Sequence, residues 1–429
     1  MAAPSGRCGG ASPPLRKAPG PPGRTGAGVV EGRSAMKGEQ LPLIIPTRSG
    51  YQFARGLERW LREHYLPRRG VRTSIPDLWV PTSVTTFSDT SGKVLLDRHI
   101  RGEDVFVVAD VQSHATLVPM SHDAPNEAYV TRLGREACTI ADRHGRGLLA
   151  VEAKVDIDKN FQELLRTIEA ARDAVTRRGY ITAVLPWLPY SRQDRRTGRE
   201  SLDLQMAAVQ LEAVGVDYVL TIDVHNRSTG LAFRPPVKFD NLKAAHTLLH
   251  HLRSHPELYP MDNAFFVAPD AGAFEMNKVF GQSLGVPFSL LYKEERDASR
   301  PNVTKMPFGL VGDASAIKGC DVYTVDDMID TAGTLVNAAT SLRELGAASV
   351  TAIATHGVFS PPAHQRLARA VAEDILKAVV VTNSITLSAA EIEECGGWLH
   401  IVDVQRYFAK AVDCLDRGES ISKLLQDVS

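Results

Sequence analysis

The sequence of 429 residues has little cysteine, no excess of charge of either sign and no long apolar run. Its five cysteines are scattered and form no Cys-x-x-Cys pair, which argues against a structural zinc site or a disulfide framework and suits a reducing compartment. A net charge of −1 gives no global field that would attract nucleic acid or an anionic membrane. No apolar run approaches the roughly 18–20 residues that span a bilayer. We therefore expect a cytoplasmic protein without nucleic-acid or membrane partners.

Residues 1–40 differ in composition from the rest of the chain. Gly, Pro, Ala, Ser and Arg dominate, and the first acidic residue is Glu31. Because such a segment cannot bury enough apolar surface to offset its ordering entropy, it is expected to be a disordered tail. An organelle-targeting peptide would also be poor in acids, but the prolines interrupt the amphipathic helix that it needs. Met36 is an alternative start.

From about residue 41, short β-rich runs alternate with helical runs. Examples are the strand-like segments 181–189 and 218–225 and the helical segments 202–214 and 274–284. This alternation predicts βαβ units and therefore an α/β fold in which helices flank mainly parallel sheets. The stretch from 112 to about 158 lacks this regularity and is interpreted as an insertion.

The strongest chemical signal is the run from Val325 to Thr334, in which an apolar strand meets paired acids and then a Thr-Ala-Gly-Thr turn opens a helix. Backbone N–H groups converge at such a turn, and the helix N-terminus favours an anion such as phosphate. Gly333 lets the backbone approach the anion closely. The two threonine hydroxyls are expected to donate hydrogen bonds and cap the helix. Asp326 and Asp327 are placed to accept hydrogen bonds from a ribose diol.

The run resembles the phosphoribosyl-pyrophosphate signature of type I phosphoribosyltransferase folds. Further segments resemble the ribose-phosphate pyrophosphokinase family, a longer and divergent branch of it, from about Thr86 to the C-terminus. They are the ATP-binding loop Pro189–Arg196, the metal motif Asp223-Val-His225 with Asp240-Asn241, the phosphate-and-metal loop Val267–Ala273, and Thr355–Ser360. Arg192, Arg195, Arg196 and Arg199 also form a donor cluster suited to triphosphate.

The resemblance implies two tandem type I phosphoribosyltransferase-like domains. The predicted organisation is a tail at 1–40, an N-terminal ATP-side domain at 41–243, a C-terminal ribose 5-phosphate-side domain at 244–400, and a C-terminal helix within 401–429 that packs on the N-terminal domain. It also implies a homo-oligomer built from dimers. The implied reaction transfers the β,γ-pyrophosphate of Mg²⁺-bound ATP to the 1-hydroxyl of ribose 5-phosphate, giving phosphoribosyl pyrophosphate and AMP.

The same resemblance assigns roles to individual residues. The catalytic residues are Lys293 and Arg296. The implied ATP contacts are Phe87, Asp89, Arg192, Gln193 and Arg195. The implied ribose 5-phosphate contacts are Asp326, Asp327, Asp330, Thr331, Ala332, Gly333 and Thr334. The implied ligands of Mg²⁺ are Asp223, His225 and Asp270, although magnesium prefers oxygen, so that a histidine contact would run through water.

Three segments depart from the family pattern. A Lys-Arg-Arg run is expected at the catalytic loop, but Glu294 and Glu295 follow Lys293, so that Arg296 would have to take the second arginine's place. The adenine loop at Phe87 lacks its glutamate, and an acid is missing after Phe233. Three alternatives therefore stay open: a catalytically silent regulatory relative, a phosphoribosyltransferase, and a pyrophosphokinase that acts on another 5-phosphoribosyl compound.

Overall fold

The computed structural model describes residues 41–70, 77–89, 91–119, 138–141, 147–151, 155–175, 179–293 and 308–426. The expected tail at 1–40 and the predicted catalytic residue Arg296 lie outside the described residues.

The strands of the described residues are short, and most are apolar. In chain order they are β1 (Leu43–Pro46), β2 (Thr82–Thr86), β3 (Gly92–Leu96), β4 (Val105–Val108), β5 (Thr116–Pro119), β6 (Cys138–Ala141), β7 (Gly147–Val151), β8 (Ile181–Leu185), β9 (Tyr218–Ile222), β10 (Lys238–Leu242), β11 (Ala264–Ala268), β12 (Phe288–Lys293), β13 (Phe308–Leu310), β14 (Asp321–Ile329), β15 (Ser349–Gly357), β16 (Ala378–Thr382) and β17 (Leu399–Val402).

Helices fill most of the connections between these strands. They are α1 (Tyr51–Trp60), α2 (Ile157–Val175), α3 (Asp203–Ala213), α4 (Ala245–Ser254), α5 (Phe274–Leu284), α6 (Gly333–Glu344), α7 (Ala363–Ala372), α8 (Ala389–Glu394), α9 (Gln405–Asp416) and α10 (Ser422–Leu425). None of the helices in the described part of the chain has the length and apolarity that crossing a membrane requires.

Two mainly parallel sheets organise these elements. In the described residues, the first sheet has the strand order β1-β4-β8-β9-β10, with every pair parallel. The second has the order β13-β12-β11-β14-β15-β16-β17, in which only the β12–β13 pair is antiparallel. The prediction of an α/β fold with mainly parallel sheets flanked by helices is confirmed. Strands such as β8 and β16 are buried throughout, as parallel strands covered on both faces must be.

The strand that carries the acidic pair is longer than the sequence predicts. The apolar run suggests a strand that stops near Val325, but β14 continues to Ile329 because it pairs with β15 along most of its nine residues. Asp326 and Asp327 therefore belong to the strand itself. The turn that follows them is short, and α6 begins at Gly333.

Two smaller sheets lie outside this pattern. Strands β2 and β3 form an antiparallel pair. Within the stretch that the sequence marks as irregular, from 112 to about 158, the described residues form an antiparallel sheet in the order β5-β7-β6.

The C-terminal helix α9 packs against α1. The rings of Phe53 and Phe408 meet edge to face with centroids 5.2 Å apart. Arg69, at the end of the short helical segment Leu66–Arg69, forms ion pairs with Asp413 and Asp416 at 2.8 and 2.5 Å. The contact of α9 with α1 therefore buries aromatic area, and two ion pairs whose carboxylates are almost fully buried join α9 to the segment after α1.

Candidate active site

The turn between β14 and α6 presents free backbone donors. Ala332 occupies the N-cap position with φ 60° and ψ 5°, and no side chain caps the helix. The expectation that a threonine hydroxyl caps α6 is therefore wrong, because the left-handed residue at the cap is an alanine. The first N–H groups of a helix have no partner within it, so those of this turn remain available to an anion.

Space around the turn also suits a ligand. A β-carbon placed on Gly333 would meet nothing closer than Arg366 Nη1, at 3.4 Å. Arg366 is held there because its Nη1 donates a 2.9 Å hydrogen bond to the carbonyl oxygen of Thr331. A guanidinium beside an uncapped helix start strengthens the preference for phosphate. No sequence motif marked Arg366, which comes from α7.

Asp326 and Asp327 form a cluster of like charge with Asp270 nearby. Burial, followed by the negative charge of Asp327, raises the pKa of Asp326, and Asp270 adds to the effect. Asp270 itself is exposed, and its Oδ1 accepts hydrogen bonds from the N–H groups of Gly272 and Ala273. A buried carboxyl group with two further carboxylates nearby favours a cation or a hydroxyl-rich ligand.

His225 compensates part of this charge from the other sheet. Its Nδ1 lies 2.6 Å from Asp327 Oδ2, and roughly half of its side chain is exposed. This hydrogen bond raises the pKa of His225. Burial of Asp327 opposes ionisation, but the partnership with His225 outweighs it and holds the pKa of Asp327 below its usual range.

Asp223 has a different environment from the other predicted metal ligands. It is buried, and its Oδ2 accepts hydrogen bonds from the Ala244 N–H at 3.1 Å and from Thr355 Oγ1 at 2.7 Å. Burial raises its pKa. Its φ of 37° turns the chain sharply after β9. This geometry favours a role in positioning His225 over direct contact with a ligand.

The predicted ATP loop reaches the sugar-phosphate turn. Arg192 is exposed, and its Nη1 lies 2.6 Å from Asp330 Oδ2. Gln193 and Arg195 are exposed on the same loop. The loop is shaped by Tyr190, whose φ is 60° and whose hydroxyl donates a 2.6 Å hydrogen bond to Asp158. No sequence motif predicted this anchoring role of Tyr190, although the tyrosine follows Pro189 directly.

The remaining predicted residues are less closely tied to the cluster. Phe87 and Asp89 lie on the turn between β2 and β3, where both contact Ser91: the Phe87 N–H donates to its carbonyl, and Asp89 accepts from its N–H and hydroxyl. Lys293 is the last residue of β12, next to the segment that is not described. Its assigned partner Arg296 lies within that segment.

The acidic side chains near Asp326 bear on the prediction that the chain binds Mg²⁺. In the described part of the chain, no group of three or more His, Cys, Asp or Glu side chains is arranged to hold a metal ion by itself. Magnesium commonly binds through only one or two carboxylates and completes its shell with water and substrate phosphates. Burial and the neighbouring charge of Asp327 raise the pKa of Asp326, and such an ion would stabilise the ionised form of this carboxyl group.

Comparison with known families settles the relationship. Residues 73–215 match the family model for the N-terminal domain of ribose phosphate pyrophosphokinase. Residues 262–426 match the model for the phosphoribosyl synthetase-associated domain. The chain belongs to the ribose-phosphate pyrophosphokinase family. As a ribose-phosphate pyrophosphokinase it is a diphosphotransferase of nucleotide biosynthesis, in a family that uses Mg²⁺-bound ATP.

The fold of this chain is similar to that of a solved phosphoribosylpyrophosphate synthetase. Phosphoribosylpyrophosphate synthetase from Mycobacterium smegmatis is 24% identical, with a TM-score of 0.63 over 88% of this chain and 100% of that chain. Purine phosphoribosyltransferase from Pyrococcus horikoshii is 20% identical, covering 28% of this chain and 73% of that one with a TM-score of 0.20. Adenine phosphoribosyltransferase from Leishmania tarentolae is 17% identical, covering 33% and 70% with a TM-score of 0.24.

Proposed function

We propose that this pyrophosphokinase transfers the β,γ-diphosphoryl group of ATP to the 1-hydroxyl of ribose 5-phosphate in the cleft between its two main sheets. The observation that carries the proposal is the pair of contacts across this cleft, from His225 to Asp327 and from Arg192 to Asp330. Each joins a residue assigned to the ATP side to a residue assigned to the sugar-phosphate side. Two substrates held on these sides would meet directly.

The sugar-phosphate side is assigned to β14 and the start of α6. Asp326 and Asp327 accept hydrogen bonds from the ribose hydroxyls. The 5-phosphate accepts hydrogen bonds from the free N–H groups of the turn. The residues around it are Asp330, Thr331, Ala332, Gly333 and Thr334. In the free protein, burial and the charge of Asp327 oppose ionisation of Asp326. A ribose diol donates two hydrogen bonds to these carboxylates and so offsets the repulsion between them.

The ATP side is assigned to the loop anchored by Tyr190. Arg192, Gln193 and Arg195 bind the triphosphate, since guanidinium groups match phosphate oxygens in a bidentate manner. His225, just after β9, contacts the phosphates. Its partner Asp327 raises its pKa, so that the imidazole stays protonated to a higher pH. The turn that bears Phe87 and Asp89 is assigned to the nucleobase.

Asp270 and Asp326 would bind Mg²⁺ directly, and His225 would contact it through water. Asp223 would position His225. When bound, the ion neutralises phosphate charge and orients the β-phosphorus. The chain's own residues align the sugar hydroxyl in line with the bond to the α-phosphate. Lys293 and Arg296 balance charge on the transferring group, after which AMP departs.

The domain limits, the cellular location and the oligomeric assembly are part of the proposal. Residues 41–243 form the ATP side, 244–400 form the ribose 5-phosphate side, and the 401–429 segment packs on the former. Free cysteines at 320, 395 and 414 support a cytoplasmic location. Exposed apolar side chains at Met206, Val209 and Leu231 support an assembly built from dimers.

The test is incubation of the full-length chain with ATP, Mg²⁺ and ribose 5-phosphate, with AMP and phosphoribosyl pyrophosphate followed by chromatography. Omission of ribose 5-phosphate is the matched control for plain ATP hydrolysis. Equal amounts of AMP and phosphoribosyl pyrophosphate are expected. Absence of both products from a folded protein that still binds the two substrates would favour the silent regulatory relative instead.

A further inference from the structure

The surface formed by α1, α9 and the segment after α1 carries basic side chains without acidic partners. Arg55 and Arg59 are four residues apart on α1 and are exposed. Arg406 is exposed on α9, with the partly exposed Lys410 one turn later. Arg68 is exposed in the helical segment after α1. We call these side chains the basic patch, and none of them forms an ion pair with a described residue.

Aromatic rings join the cations of the two helices into one surface. The guanidinium carbon of Arg406 lies 5.3 Å from the centre of the Trp60 ring. The centre of the Tyr65 ring lies 5.8 Å from Lys410 Nζ and 6.0 Å from the guanidinium carbon of Arg68. The Tyr65 hydroxyl donates a 3.3 Å hydrogen bond to the carbonyl oxygen of Arg406. These cation–π contacts hold the cations in place and leave their charge without a carboxylate partner.

Most carboxylates near the basic patch already have partners. Glu58 and Asp413 form ion pairs with other arginines. Asp403 accepts a hydrogen bond from the indole N–H of Trp60. Glu63 is exposed and forms no ion pair with a described residue. The basic patch therefore keeps an excess of positive charge, although the net charge of the whole chain is −1.

This arrangement of cations opposes the stability of both helices. Like charges four residues apart on a helix repel each other, and both Arg55 with Arg59 and Arg406 with Lys410 have this spacing. Arg406 is also the second residue of α9, where the helix dipole disfavours a cation. An acidic ligand on the basic patch would relieve both effects.

The surroundings of the cations favour carboxylates over other anionic partners. Nucleic acids stack their bases on free aromatic faces, but Tyr65 is only 7% exposed, and the Trp60 ring lies between His64, at a centroid distance of 4.5 Å, and Arg406. In the described part of α1 and α9, no large apolar side chain is exposed that could enter a membrane. Residues 1–40 of the chain are basic themselves, with six Lys or Arg and two Glu.

We propose that the basic patch binds an acidic segment of a partner protein, whose Asp and Glu side chains pair with its arginines and its lysine. Guanidinium groups match carboxylates in a bidentate manner, so the four arginines suit such a segment. The cations are already held by the aromatic rings, and binding therefore orders few side chains. Because the charges are near solvent, the interaction depends on salt concentration.

The test is a fluorescence-anisotropy titration of a labelled polyglutamate peptide with the full-length chain. We expect binding that weakens as the salt concentration rises from about 50 to about 300 mM, because exposed charges are screened. Arg55→Gln with Arg59→Gln, and separately Arg406→Gln with Lys410→Gln, should each weaken binding roughly three- to tenfold, the effect of losing two exposed ion pairs. The α1 variant should keep or raise the melting temperature, because it removes a like-charge pair. It decides the outcome if the α9 variant, which also loses cation–π contacts, does not fold.

Lys238→Gln with Lys318→Gln is the matched control, since it removes two exposed lysines outside the basic patch. Binding should survive it, and equal weakening would overturn the proposal. Absence of peptide binding at low salt overturns it too. Tighter binding of a labelled oligouridylate of the same charge would assign the basic patch to nucleic acid instead. Loss of an oligomer in Arg55→Gln with Arg59→Gln, measured by light scattering, would assign it to a contact between copies of the chain.

Discussion

His225 Nδ1 and Asp327 Oδ2 lie 2.6 Å apart, although His225 follows a strand of the first sheet, Asp327 lies in the second sheet, and 102 positions separate them in the chain. The pKa of His225 is raised by this contact and that of Asp327 is lowered. The histidine contribution to stability is therefore complete below its ordinary pKa of about 6.5 and is lost as pH rises through the raised value. The aspartate contribution is present above about 3.9 and is lost as pH falls through the lowered value.

We expect His225→Gln to lower the free energy of unfolding most between about pH 4.5 and 6.5, and least near pH 9. Because His225 is half exposed, the loss should be only roughly 0.5–1 kcal/mol. Urea unfolding at pH 5.5 and pH 9 measures it. His99→Gln, at an exposed histidine, is the matched control. A loss that does not change with pH would contradict the ion pair.

Asp326→Asn should stabilise the free protein while it impairs function. Burial and the charge of Asp327 raise the pKa of Asp326, so ionisation costs stability increasingly as pH rises from about 4 towards the raised value. Asparagine removes this cost and can still accept the Asp327 N–H. A gain of about 1 kcal/mol is expected at pH 8 and none at pH 4. Thermal unfolding with Asp262→Asn, an exposed acid, as control tests this, and an unchanged stability at pH 8 would contradict it.

Gly333→Val should raise the KM for ribose 5-phosphate strongly and leave the KM for ATP nearly unchanged. The free protein tolerates the change, because the added β-carbon meets its first neighbour at 3.4 Å. The crowding therefore arises only with the phosphate bound. Initial rates with each substrate varied provide the measurement, and Asn337→Val, one turn further along α6 at an exposed position, is the control. Equal increases of both KM values in a variant that still folds would show that this turn does not bind ribose 5-phosphate.

Lys293→Ala should lower kcat by roughly 10²–10³, as the loss of one preorganised charge-stabilising donor can. Apparent substrate affinities should change little, because the interaction strengthens mainly in the transition state. Arg296→Ala should behave similarly if Arg296 takes the second arginine's place. Steady-state kinetics decide the matter, with Lys278→Ala on the exposed face of α5 as control. Native kcat in Lys293→Ala would show that this loop is not catalytic.

Glu295→Arg is the complementary change at the same loop. It restores the charge that the family pattern has there, so turnover should stay constant or rise. AMP release under saturating substrates measures the effect. A native chain without turnover that becomes active with Glu295→Arg would establish that the natural protein is the silent regulatory relative. Loss of activity would mean that the glutamate itself has a role.

The sequence predicts secondary structure more reliably than it predicts contacts across the cleft. The helix expected at 274–284 has these bounds in the structure, because its apolar periodicity is local. The extension of β14 to Ile329 depends on pairing with β15, which one sequence does not reveal. Asp223 and His225 are near neighbours in the chain, yet Asp223 turns towards Thr355 and His225 towards Asp327. Such assignments depend on partners more than 100 residues away.

The packing of α9 on α1 brings a helix near the end of the chain into contact with one near its start. The same apolar core holds Phe53 near the start, Phe266 in the second sheet and Phe408 near the end. Cutting the protein after residue 243 would therefore leave the face of α1 uncovered and expose Phe53 and Leu57 to water. The two sides of the cleft are two halves of one folding unit, and neither is expected to survive as a fragment.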